Sequence, residues 1–111
     1  MDQRLTKALE YADYVTTFKN QKRVLLEKFK KDSTIYYEGG QFTASRESIA
    51  TLMSIDSPIF VDNNNTPIRI QTRGEFYNAL VEAYESALES YYSEYQKIVN
   101  SERSVQGILD V

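Results

Sequence analysis

The chain has 111 residues, a net charge of −3 at pH 7, and neither cysteine nor histidine. That length suits one domain with a modest core, and the missing residue types exclude disulfides, thiolate or imidazole metal sites, and cysteine or histidine catalysis. The 41% apolar and 26% charged residues are those of a globular chain rather than a disordered one.

The acidic balance gives no general attraction to nucleic acid or anionic lipid, so neither is an expected partner. The opening "MDQRLTKALEYADYV" carries charges every few residues, unlike a signal or transit peptide. No apolar run approaches the roughly 20 residues that span a bilayer. A soluble intracellular protein is expected. Nine tyrosines and no tryptophan suit either a thin core whose aromatic tips reach water or a contact surface.

The first predicted element is a helix from about residue 3 to 30. Tyr11, Val15, Phe18, Leu25 and Phe29 follow a three-four spacing, interrupted by Lys22, and Leu5, Ala8 and Ala12 extend the face. Residues 19–31 hold six basic groups and one acid, in keeping with a helix C-terminus, with a nucleic-acid patch over Lys19 to Lys31 as the alternative. Extended segments follow: Thr34-Ile35-Tyr36-Tyr37, a turn at Glu38-Gly39-Gly40, then Gln41-Phe42-Thr43. Ser45 caps a short helix to about Ile55 that turns Ile49, Leu52 and Met53 inward. Pro58–Val61 and Pro67–Ile70 form a second hairpin around "DNNNT".

The last helix is predicted over 73–100, opened by the capping box Thr72-Arg73-Gly74-Glu75. Tyr77, Tyr84, Tyr91 and Ile98, interleaved with Val81, Leu88 and Tyr95, give a continuous seam. Glu82, Glu85 and Glu89 fall off it on a solvated face. The first helix, lying antiparallel, is the expected partner of this seam, and self-association is the alternative. Gly107 is expected to stop or fray the helix, leaving 104–111 as a tail. Val105, Gln106, Ile108, Leu109 and Val111 in that tail are the candidate partner-binding residues, as a docking peptide or a lid over the domain's own core.

Little of this looks like catalysis. The adjacent glycines 39 and 40 lack the lysine and the spacing of a phosphate loop and read as a hairpin turn. A calcium loop begun at Asp62 would need glycine and glutamate where Pro67 and Arg73 stand. No metal, cofactor or enzymatic activity is expected.

Residues 25–99 resemble a small domain of unknown function found in tailed bacteriophages, near or within tail-fibre and tail-fibre-assembly proteins. Tyr37, Gly39, Phe42, Ser45, Arg46 and Ser48 carry the likeness in the first half, and Asp62, Pro67, Thr72, Glu75, Phe76 and Leu80 in the second. The whole chain, with its "RSVQGILDV" ending, is also similar to small proteins of T4-like marine cyanophages. The resemblance implies a phage origin and transfers no catalytic residue.

The expected fold is α+β, with two long antiparallel helices and, between them, two short β-hairpins and a short helix. One domain over 1–103 and the tail are expected. The expected role is that of a non-enzymatic phage accessory protein, in virion or tail assembly, located in the infected cell's cytoplasm or in the virion. Its partner would be a phage structural protein or a host protein. The alternative is a regulatory binder of replication or transcription machinery that acts through the C-terminal peptide.

Overall fold

The computed structural model describes residues 3–109 and is α+β, with three helices and two small antiparallel sheets of two strands each. In chain order these are α1 (Gln3–Asp32), β1 (Thr34–Tyr37), β2 (Gly40–Thr43), α2 (Arg46–Ser54), β3 (Ile59–Val61), β4 (Pro67–Arg69) and α3 (Arg73–Leu109). Backbone contacts divide the chain into two compact units. One holds the residues up to Glu27 with those from Tyr91 onward, and the other is Lys28–Ser90.

The second unit contains the principal core. Phe42, Ala44, Leu52, Ile70, Phe76 and Leu80 are buried together, with Ile35, Tyr37, Ile49, Phe60, Ile68, Tyr77 and Tyr84 packed partly against them. Phe76 sits at the centre, its ring 4.9 Å from that of Phe42, 5.1 Å from Tyr37 and 5.4 Å from Phe60. The Tyr84 and Phe29 rings meet in a T-shaped contact at 6.0 Å, and the Arg46 guanidinium lies over the Tyr84 ring.

The α3 seam is therefore phased differently from the expectation. Phe76, Leu80 and Ala87 are the buried positions, while Tyr77, Tyr84 and Tyr91 are only half-buried. Tyrosine keeps its hydroxyl near water, so smaller or wholly apolar neighbours take the deepest sites.

Two local devices hold α2. Ser45 accepts the Ser48 N–H at 3.0 Å while the Ser48 hydroxyl accepts the Ser45 N–H at 2.8 Å, a reciprocal capping box. At its other end the Arg73 guanidinium donates to the Leu52 carbonyl and lies over the Phe60 ring. The inward set predicted for α2 needs one correction. Ile49 is half-buried and Leu52 buried, but Met53 is 71% exposed. A helix of nine residues presents one narrow line to the core, and that line runs through Leu52. At the start of α3 the Thr72 carbonyl accepts the Phe76 N–H at 3.0 Å, and the Thr72 hydroxyl bonds to that of Tyr37.

The first hairpin closes through a two-residue turn, since Tyr37 pairs with Gly40. Its left-handed residues are Glu38 (φ 51°) and Gly39 (φ 82°), as a primed turn demands. Gly40 has a different reason to be glycine. A β-carbon there would overlap the Ile68 side chain and stand 2.8 Å from Phe42 Cε2. Close packing fixes Gly40, and the turn fixes Gly39.

Asp62 joins the two hairpins. Its carboxylate accepts the N–H groups of Asn64 and Thr66, each at 2.9 Å, and of Gln41 at 3.1 Å. Asn63 adds its own N–H to the Gln41 carbonyl at 2.7 Å and accepts from the Thr43 N–H at 3.3 Å. The outer edge of β2 is thereby satisfied by a turn instead of a third strand.

The Thr66 N–H, with those of Gln41 and Asn64, holds the Asp62 carboxyl below the usual carboxylate range, against the opposing effect of desolvation. A depressed folded value means that the stabilisation is complete above the ordinary aspartate pKa, about 3.9, and is lost as pH falls through the lower folded value. Melting temperatures of Asp62→Asn should therefore show a shallower acid decline below about pH 4 than the wild type. An identical decline would remove Asp62 as its source.

In the first unit Phe18 and Leu25 of α1 are buried, and Lys22 pairs with Glu102 at 2.8 Å beside the Tyr95 ring. The Glu102 carboxylate raises the Lys22 pKa above its ordinary value. Tyr11 and Val15, expected on the same covered face, are exposed, as are Leu5, Ala8 and Ala12. Lys22 already lies against Glu102, close to the last described turns of α3. Little of the described α3 remains to cover the earlier turns of α1.

Gly107 does not stop α3, which continues to Leu109. A glycine costs a helix only about 1 kcal/mol relative to alanine, too little to end one already hydrogen-bonded on its N-terminal side.

Candidate functional site

A cleft of about 510 Å³ opens in the second unit. Core residues Phe42, Leu52, Phe76 and Leu80 reach it, with the half-buried Phe60. Ile55, Ile59 and Val61 also line it and are exposed, Val61 by 63%. The N-cap Ser45 and Ser48 and Thr51 of α2 add hydroxyls, and Glu47 is the one ionisable lining residue. The Ser45 and Ser48 hydroxyls are engaged in the α2 cap, and the chain has no histidine to activate them.

Strand β3 brings backbone groups to this cleft. Ile70 donates its N–H to the Pro58 carbonyl and Asp62 to that of Thr66, at 2.8 and 3.0 Å. With Phe60 opposite Ile68, antiparallel alternation turns the N–H and C=O of Ile59 and Val61 to the outer edge. The Ser57 hydroxyl accepts the Ile59 N–H at 3.2 Å. Pro67 pairs with Val61, a position where its missing N–H removes no ladder bond. The result is a short edge beside an apolar hollow, able to receive an extended segment by backbone pairing.

The structure disperses the other residues singled out in the sequence. Glu82, Glu85 and Glu89 are exposed along α3, and among the described residues no group of three His, Cys, Asp or Glu could hold a metal ion. Asp62, the first residue of the calcium-like segment, directs its carboxylate oxygens to backbone amides. Val105 and Gln106 lie within α3, the first half-buried and the second exposed. Ile108 and Leu109 belong to the last turn of the same helix, and Val111 lies outside the described residues. No described helix is long and apolar enough to cross a membrane.

No protein-family model, curated protein or solved structure matches the chain. The cleft was not among the sequence-based candidates. Its signal was the isolated apolar triplet Ile59-Phe60-Val61 between Pro58 and Asp62, which alternation alone assigns half to a surface.

Proposed function

We propose that this chain is a non-enzymatic bacteriophage accessory protein that works through protein contacts in virion or tail assembly, with the β3 cleft as its docking surface. The observation that carries the docking reading is an apolar cleft flanked by exposed Ile55, Ile59 and Val61 and by the outer edge of β3, whose Ile59 N–H is held by the Ser57 hydroxyl. Such exposure is disfavoured on a free surface and suits an interface. The phage setting rests on the resemblance of residues 25–99. The two long helices run antiparallel in this reading. Within Lys28–Ser90 it is supported by Lys28 meeting Ser90 while the next residue, Phe29, meets Tyr84.

The test is capture from infected cells with three forms of the chain. Ile59→Glu/Val61→Glu alters two exposed side chains, so it should keep the wild-type fold while losing a phage structural partner. Deletion of 104–111 should retain that partner. The opposite pattern would favour the regulatory binder acting through its C-terminal peptide.

A further inference from the structure

A second concavity of the same unit, about 430 Å³, has a different chemistry. It is lined by Lys30 and Lys31 from the last turn of α1, by Tyr36 of β1, and by polar groups including Gln41, Thr43 and Asn63. Its volume falls in the range of small-molecule sites, roughly 300–1,000 Å³. No carboxylate lines it. Three cations of the basic run are paired, Lys22 with Glu102, Arg23 with Glu27 and Lys28 with Asp32. Lys30 and Lys31 form no ion pair among the described residues. The Asp62 carboxylate, adjacent in sequence to the lining residue Asn63, is held by backbone amides. A chain of net charge −3 thus keeps a local positive site.

Tyr36 gives this site a second character. It is 81% exposed, the most exposed large apolar side chain among the described residues. An aromatic residue and two lysines lining one hollow supply the two elements that nucleotides require, a stacking platform and a phosphate contact. Around them, Asn63 donates through Nδ2 to the Thr43 hydroxyl at 2.8 Å and retains a second amide hydrogen. The Thr34 hydroxyl is bonded to the Lys30 carbonyl at 2.9 Å, and its oxygen lies 2.9 Å from that of Thr43. These bonds fix the wall and the last turn of α1 that presents the lysines.

We infer that this hollow binds a nucleoside phosphate, with the base against Tyr36 and the phosphate between Lys30 and Lys31. The ligand is either a free mononucleotide or one residue of a single strand. Amide chemical-shift titrations of the full chain with adenosine monophosphate, a short oligothymidylate and inorganic phosphate test this. Saturable shifts should centre on Lys30, Lys31, Tyr36, Thr43 and Asn63. Lys30→Gln/Lys31→Gln and Tyr36→Ala should each weaken binding about tenfold or more while retaining the wild-type spectrum elsewhere. Tighter binding of the oligonucleotide identifies a strand as the source, and equal or weaker binding a free nucleotide. The inference is overturned by the absence of saturable shifts with both nucleotide probes, by inorganic phosphate binding as tightly as the mononucleotide, or by undiminished binding in either variant.

Discussion

Phe76→Ala is expected to destabilise the protein by about 3–5 kcal/mol, the range for truncating a buried aromatic residue. Phe76 is 2% exposed and meets rings from β1, β2 and β3 at once. Its removal would leave Phe42, Tyr37 and Phe60 facing a void that short strands and a nine-residue helix cannot close. Partial relaxation leaves a cavity term on top of the lost transfer energy. Tyr92, another α3 aromatic, is 65% exposed, and Tyr92→Ala should stay within about 0.5 kcal/mol. Denaturant melts of the two variants provide the comparison. Equal losses would mean that the core does not centre on Phe76.

Gly40→Ala should cost about 1–3 kcal/mol, because an added methyl must displace Ile68 and Phe42 in a filled site. The adjacent glycine makes the contrast. Gly39 has open space within 4 Å of an added β-carbon and needs only the left-handed backbone, which asparagine tolerates. Gly39→Asn should therefore lose less than about 1 kcal/mol. If the two variants melt together, the difference between packing and turn geometry at these positions is wrong.

The local features of this fold were legible because their causes are local. The turn predicted at Glu38-Gly39-Gly40, which the structure narrows to Glu38-Gly39 with Gly40 in β2, the Ser45 cap and the "DNNNT" turn are each set by residues a few positions apart, and the predicted strands agree with the observed ones to within a residue. The burial phase of α3 was less legible. A tyrosine repeat of seven marks a seam, but which side of the seam lies deepest depends on what packs there, and Phe42 and Phe60 draw Phe76 inward. Met53 follows the same rule, since helical spacing admits it to the core and tertiary packing leaves it out. The role of Asp62 required knowing that the second turn docks on the edge of β2, a contact across 21 residues. The cleft was hidden for the same reason, because its walls come from both hairpins, α2 and α3. At Gly107 propensity alone predicts a stop or fraying, and a propensity of that size yields to an established helix.

The most direct measurement of the docking claim is site-specific photocrosslinking in infected cells, with the reactive side chain placed at Val61 in one form and at Gln106 in another. Both positions are exposed, so each can carry the probe without disturbing a core. Mass spectrometry of the adducts should find a phage structural protein joined through position 61 and none through position 106. Adducts to replication or transcription proteins through position 106, with none through position 61, would contradict docking at the β3 cleft.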